Sequence, residues 1–127
     1  MPRFADALRG ADVKIVAEVK RSSPSKGAIN PGLDLTRQVA AYEAGGAAAI
    51  SILTEPTRFG GSIEDLSRAR SAVRIPLLKK DFHVEVVQIL EARSLGAAAA
   101  LVIARAVAPA RLKELIEAGD DVGIEIL

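Results

Sequence analysis

The sequence predicts a parallel α/β fold in which short buried strands alternate with amphipathic helices. Apolar runs of strand length recur along the chain, and helical patterns bounded by glycine or proline separate them. Strand and helix alternating without a long linker is typical of βα units on one parallel sheet. The predicted strands are Ile15–Val19, Ala47–Leu53, Ile75–Leu78, Ala97–Ala104 and Gly123–Leu127.

The helices predicted between these strands follow from apolar periodicity and from signals at their ends. Asp34 is expected to cap the first helix, and Ser62 is expected to cap the second. The predicted helices are Leu35–Ala44, Ile63–Ala72, Val86–Leu95 and Pro109–Ala118. The glycines placed where helices are expected to end are Gly45, Gly96 and Gly119.

The length of the chain bounds the architecture. Its 127 residues are about half of a (β/α)8 barrel, which needs roughly 250. We predict one half-barrel domain over residues 1–127: a segment before the barrel (1–13), βα units one to four (14–122) and the start of a fifth strand (123–127). An open flavodoxin-like parallel sheet is the alternative, because its local βα pattern is the same.

Composition excludes several classes of function. Basic and acidic residues nearly balance, at 17 and 16, and no basic stripe indicates a nucleic-acid partner. The absence of cysteine excludes disulfides and thiolate metal sites, and one histidine does not make a metal site. No apolar run has the length of a membrane span, and no signal peptide is visible. We therefore expect a cytoplasmic protein with no metal, no cofactor and no membrane partner.

Charged residues stand at the predicted carboxyl ends of strands, where parallel α/β folds bind ligands. Glu18 and Lys20 are two apart on the first strand and therefore share a face. Lys80 closes the third strand and shares a face with Leu78 and Phe82. On local pattern alone these signals are weak: Lys79 and Lys80 are more typical of a solvated pair, and His83 is interpreted as a loop or surface residue.

Three long motifs make the signal specific. The segment 15–27, IVAEVKRSSPSKG, resembles the first-strand signature of indole-3-glycerol phosphate synthases. The segment 47–55 with 59–62, AAAISILTE and FGGS, resembles their second strand and loop, and 76–82, PLLKKDF, resembles their third strand. The resemblance runs from about Phe4 to Leu127, and it implies that Phe4–Leu8 belongs to a helix preceding the barrel.

The resemblance implies roles for individual residues. The family closes an indole ring from an anionic anilino-deoxyribulose phosphate, with loss of carbon dioxide and then water. Lys80 matches a general acid toward the substrate carbonyl, Lys20 a lysine that contacts the substrate carboxylate, and Glu18 a glutamate that holds the lysines. The residues that match the lining of the substrate pocket are Ser23, Phe59, Phe82 and Leu101.

The sequence also departs from the family pattern. His83 stands where the family usually has an aliphatic residue. Gly123–Leu127 resembles the start of the fifth strand, which in the family continues to the glutamate taken as catalytic base, two positions beyond Leu127. That base, strands six to eight and the late phosphate-binding loops are not among these residues.

Three interpretations follow. The leading one is a half-barrel derived from the synthase, self-associating and inactive or very weak alone. The second is a working carboxy-lyase of tryptophan biosynthesis, completed by dimerisation or by a C-terminal half-barrel. The third is a non-enzymatic scaffold that binds small anions between Lys20 and Lys80. Open strand edges favour self-association in each case.

Overall fold

A computed structural model describes residues 2–127. Its helices are α1 (Phe4–Ala7), α2 (Leu35–Ala44), α3 (Pro56–Phe59), α4 (Ile63–Ala72), α5 (Val86–Ser94) and α6 (Pro109–Val122), with a 3-10 turn at Ala104–Ala106. Its strands are β1 (Val16–Val19), β2 (Ser22–Ser23), β3 (Gly27–Ala28), β4 (Ala49–Leu53), β5 (Leu77–Lys80), β6 (Ala99–Ala100) and β7 (Glu125–Ile126). None of the helices within residues 2–127 is long and apolar enough to cross a bilayer.

The main sheet is parallel and its strands lie in chain order, β1-β4-β5-β6-β7. Each of the four predicted strands after the first therefore pairs with the one before it. In a flavodoxin-like sheet the first strand lies inside the sheet, between the second and the third. Sequential order is that of a barrel segment, and the alternative open-sheet topology is not observed. The short β2–β3 pair is an antiparallel hairpin within the loop after β1.

The main core lies between this sheet and the helices. Leu35, Leu66, Ile89 and Leu115, one from each of the four long helices, are fully buried in one cluster. On the strands, Ile50 and Ile52 of β4 belong to the same cluster. All four helices thus cover one face of the sheet, as in a barrel, and leave the other face toward the barrel interior.

The interior face carries a second, smaller core at the amino-terminal side of the strands. Phe4 of α1 packs with Ala49, Leu78 and Ala99. The carboxylate of Glu125 accepts hydrogen bonds from the backbone N–H groups that begin α1, at 2.6 Å for Phe4. A short helix therefore lies within the segment 4–8 that the resemblance assigned to it, and it covers the bottom of the interior.

The four long helices begin at the predicted residues, and caps explain two of these starts. The Asp34 carboxylate accepts from the Arg37 N–H, and the Ser62 hydroxyl accepts from the Glu64 N–H. The third strand is displaced from the predicted Ile75–Leu78 to Leu77–Lys80, because Pro76 has no N–H to donate to the ladder. The fourth strand is shorter than predicted. Only Ala99 and Ala100 pair within it, because the chain turns into the 3-10 helix at Ala104.

The helix end predicted at Gly119 is wrong. Helix α6 continues to Val122 and ends at Gly123, whose φ of 71° is the left-handed conformation that suits glycine. Gly119 is buried inside the helix. A glycine is needed there because a Cβ would lie 2.7 Å from Cγ1 of Ile126. The glycine serves close packing of α6 against β7.

Candidate active site

Glu18, Lys20 and Lys80 meet at the carboxyl end of the sheet, on its interior face. The two carboxylate oxygens of Glu18 each take one lysine: Oε1 lies 3.1 Å from Nζ of Lys20, and Oε2 lies 2.9 Å from Nζ of Lys80. The three side chains are each about one-third exposed, at 27%, 33% and 36%. A single carboxylate thus holds two ammonium groups at the mouth of the half-barrel.

A neighbouring strand and helix α2 both hold Glu18. Oγ of Ser51, from β4, donates to Oε2 of Glu18 at 3.0 Å, and the Tyr42 hydroxyl donates to the Glu18 backbone carbonyl at 2.9 Å. Burial alone raises the pKa of Glu18, but hydrogen bonds from Lys80, Lys20 and Ser51 and the charge of Lys80 outweigh it. The pKa of Glu18 therefore lies below its ordinary value of 4.5.

A small apolar pocket adjoins the charged cluster. Phe59, Phe82 and Leu101 line it with Lys80, so three of the four predicted pocket residues share one cavity. The other residues on its wall are Leu53, Glu55, Asp81 and Ile103. The guanidinium of Arg58 lies 5.4 Å from the centre of the Phe82 ring, a cation–π contact that the sequence did not indicate. The arrangement suits a flat aromatic group held beside an ammonium.

Glu55 explains why Phe59 stands in this wall. Its buried carboxylate accepts from the backbone N–H groups of Thr57, Arg58 and Phe59 at 3.0, 2.6 and 3.1 Å. These bonds satisfy the free donors of the short helix α3. Sequence reasoning missed Glu55, although a carboxylate directly before Pro56 is a helix-start signal.

Gly61, in the loop after Phe59, occupies a position with no room for a side chain. A Cβ on Gly61 would lie 2.1 Å from the carbonyl oxygen of Leu53. The loop therefore crosses directly over the end of β4, and a side chain at this position would push it away.

Ser23 does not line the apolar pocket. It is buried in β2, where its hydroxyl accepts from the Lys26 N–H at 3.2 Å. The same loop is fastened to α4 by an ion pair between Arg21 and the buried carboxylate of Asp65. The hydrogen bond of Ser23 lies within its own loop. The role of Ser23 in contacting a substrate therefore stays a prediction.

Two sequence interpretations are wrong. Lys79 was expected to be solvated beside Lys80, and His83 to lie in a loop or at the surface, but each is 1% exposed. Neighbours on a strand point to opposite faces, so Lys80 faces the interior and Lys79 the covered helix side. The predicted helix over Val86–Leu95 was the available signal, because it covers this face.

Other features of the described residues do not add to the site. No group of three or more His, Cys, Asp or Glu within residues 2–127 is placed to hold a metal ion. A larger apolar groove, about 590 Å³, lies elsewhere, between α1, α6 and β7. It contains none of the predicted site residues.

The fold and the strand-end cluster define a parallel α/β half-barrel with two lysines and a glutamate at the carboxyl ends of its strands. A solved structure of a mandelate oxidase mutant with (S)-mandelic acid matches with a TM-score of 0.62 at 16% identity, over 97% of this chain and 44% of that one. A second mandelate oxidase structure gives 0.60 over 86% of this chain and 40% of that one, at 18% identity. These likenesses show the fold alone.

Sequence comparison shows the family. The family model of indole-3-glycerol phosphate synthase matches residues 1–127, and the chain belongs to this family. Indole-3-glycerol phosphate synthase 1 of Streptomyces coelicolor is 52% identical over 118 residues, which are 93% of this chain and 44% of that protein. The enzyme of Aquifex aeolicus is 45% identical, over 98% of this chain and 48% of its own length. The chain thus spans about half the length of the curated relatives it matches.

Proposed function

We propose that the chain supplies the proton-donating and aryl-binding half of an indole-3-glycerol phosphate synthase site. The reaction would close the indole ring of 1-(2-carboxyphenylamino)-1-deoxyribulose 5-phosphate with loss of carbon dioxide and water. The observation that carries the proposal is the Glu18 carboxylate that bridges Lys20 and Lys80 at 3.1 and 2.9 Å. Family membership supports it.

Each residue has a role that its position supports. Lys80 stands between the charged cluster and the apolar pocket, and would give a proton to the ketone oxygen as the aryl carbon attacks the ketone carbon. Lys20 would hold the substrate carboxylate that leaves as carbon dioxide. Glu18 would keep both ammonium groups in place until the substrate replaces one of its contacts.

The charge of the cluster suits an anionic substrate. Two ammonium groups and one carboxylate leave one net positive charge at the mouth of the half-barrel. The neighbouring pocket offers Phe59 and Phe82 to an aromatic ring. The pair of features therefore supports binding of a flat aryl group beside negative charges.

We further propose that the isolated chain turns over weakly or not at all, and that completion restores activity. The barrel-interior face carries exposed apolar groups, with Val16 at 40% and Leu127 at 47% exposure. A C-terminal half-barrel or a second copy would cover this face. Light scattering during size-exclusion chromatography would test self-association; a monomer at every concentration would leave the C-terminal half as the completing partner.

The direct test follows formation of indole-3-glycerol phosphate by its fluorescence. The chain would be assayed alone and mixed with the C-terminal half of the Streptomyces coelicolor synthase. We expect Lys80→Met to lower turnover of the completed assembly by about a hundredfold or more, because general acid catalysis contributes that much.

Lys113→Met is the matched control, because Lys113 is 77% exposed on α6 and pairs only with Glu117 within the described residues. It should leave turnover unchanged. Equal turnover of parent and Lys80→Met would contradict the assignment of the acid.

A non-enzymatic function as an anion binder is the second candidate, favoured by the net positive and solvent-accessible cluster. Inorganic phosphate would then bind the chain with the same affinity whether or not a completing half is present. Loss of that binding in Lys20→Ala, with the oligomeric state unchanged and no turnover in any mixture, would support this candidate over the enzyme.

A further inference from the structure

A second ionic cluster is built around Lys79, which points to the opposite face of β5 from Lys80. Lys79, Asp81, His83 and Glu91 form it, and we call it the Lys79 cluster; Asp81 also lines the apolar pocket. Nζ of Lys79 lies 3.4 Å from Oε2 of Glu91, 3.9 Å from Oδ2 of Asp81 and 3.3 Å from Nε2 of His83. Lys79 and His83 are both 1% exposed, so solvent does not screen their contact.

The hydrogen-bond partners assign the tautomer of His83. Nδ1 lies 2.5 Å from the carbonyl oxygen of Leu101, which only accepts, so Nδ1 carries the proton. Nε2 faces the ammonium group of Lys79, which only donates, so Nε2 offers its lone pair. Both contacts are satisfied together only by the neutral imidazole with the proton on Nδ1.

The surroundings of His83 favour this neutral form. Burial and then the positive charge of Lys79 lower its pKa, and they outweigh the Leu101 carbonyl, Asp81 and Glu91, which raise it. The pKa therefore lies below the ordinary 6.5. These charges come from β5, from the turn after it and from α5, and the carbonyl comes from the end of β6.

His83 connects this buried cluster to the wall of the proposed site. It follows Phe82 by one residue, and it holds the backbone of Leu101 across the gap between the ends of β5 and β6. Phe82 and Leu101 both line the apolar pocket beside Lys80. An aliphatic residue at position 83 would have no donor for the Leu101 carbonyl.

We propose that His83 is a positioning residue, which fastens the segment after β5 to the end of β6 and keeps Phe82 and Leu101 together as one wall. A proton on Nε2 would place two donors and two positive charges 3.3 Å apart. The imidazolium would keep its Nδ1–H for the Leu101 carbonyl, but repulsion from Lys79 would displace the ring and, with it, the wall formed by Phe82 and Leu101. The positioning of Phe82 and Leu101 by His83 rests on the geometry, whereas its effect on substrate binding rests on the proposed function.

The sign of the pH dependence follows from the lowered pKa. The unfolded chain binds a proton at His83 below about pH 6.5, before the folded chain does. His83 therefore stabilises the fold fully above about pH 6.5, and this contribution is lost as the pH falls through the lower folded-state pKa.

Nitrogen-15 NMR of the imidazole tests the proposal directly, because His83 is the only histidine of the chain. We expect the Nδ1–H tautomer at neutral pH and a titration midpoint below that of an unfolded control peptide. The backbone signals of Phe82 and Leu101 should shift with the same midpoint. The opposite tautomer, or Phe82 and Leu101 signals that ignore the titration, would overturn the proposal.

Two variants separate positioning from mere packing. Lys79→Met removes the neighbouring charge with little change of volume, and should raise the midpoint of His83, whereas Lys113→Met should leave it unchanged. His83→Ile introduces an aliphatic side chain, and should abolish the pH-dependent shifts of Leu101 and Phe82. Persistence of these shifts in His83→Ile would assign them to another group.

The completed assembly gives the functional readout. In the parent, KM for the anilino-deoxyribulose phosphate should rise several-fold as the pH falls through the His83 midpoint, with a smaller change in kcat. His83→Ile should lack this step, and a step that survives in it would contradict the link to the site. The NMR measurement decides the positioning role even in an assembly without turnover, so the two proposals fail separately.

Discussion

Lys79 and Lys80 are adjacent in sequence but belong to two different kinds of site. Lys80 is 36% exposed at the mouth of the half-barrel and shares the Glu18 carboxylate with Lys20. Lys79 is 1% exposed under helix α5, where it meets Glu91, Asp81 and His83. Strand alternation sends the two ammonium groups to opposite faces, and only one face is covered by helices. A charged residue at a strand end can therefore be assigned to an accessible site or to a buried cluster only when the face of the sheet to which it points is known.

The largest expected effect separates the two lysines by stability. Lys79→Ala removes a buried side chain and the partner of Glu91 and His83, and should lower the free energy of unfolding by about 3 kcal/mol. Lys80→Ala removes a partly solvated ion pair and should cost less than about 1 kcal/mol. Urea denaturation of the two variants beside the parent measures this difference. Equal losses would mean that the two faces are not distinct.

A smaller effect is expected from the partner of Lys79. Glu91→Gln keeps a polar group but removes the negative charge beside a buried ammonium, and should cost about 1 kcal/mol. Glu117→Gln is the matched control, since Glu117 pairs with Lys113 at an exposed position on α6. It should cost almost nothing. A control variant as unstable as Glu91→Gln would show that burial of Lys79 adds nothing to its ion pair.

The smallest expected effect concerns Glu18 and acid. Its folded-state pKa lies below 4.5, so its contribution to stability is present above that pH and is lost as the pH falls through the folded-state value. Glu18→Gln should therefore weaken the acid dependence of the free energy of unfolding between about pH 6 and about pH 3, by less than about 1 kcal/mol. His83 titrates in both proteins, so its contribution cancels in the difference. Superimposable pH curves would remove Glu18 as a contributor.

Much of the site could be predicted because its residues stand in long local motifs. Glu18 and Lys20 share a face by strand alternation, and Lys80 reaches them because β4 and β5 follow in order. Phe59, Phe82 and Leu101 line one cavity at the strand ends. Their catalytic and binding roles remain proposals that the assays above decide.

The rest could not be predicted because it depends on contacts distant in sequence. Arg21 finds Asp65 across 44 residues, and Ser51 reaches Glu18 across 33. Gly119 is predicted as a helix end, yet it lies inside α6, where the side chain of Ile126 leaves no room for a Cβ. No local pattern contains these distances.

The sequence by itself determined the kind and order of the elements, since apolar spacing, caps and turn residues act over a few positions. It also determined which residues alternate on each strand. Only the tertiary structure decided that all four long helices cover one face of the sheet. This arrangement determines whether each charged side chain at a strand end is buried or exposed. Burial makes the difference, because an ammonium group removed from water must find partners, as Lys79 does in Glu91 and His83.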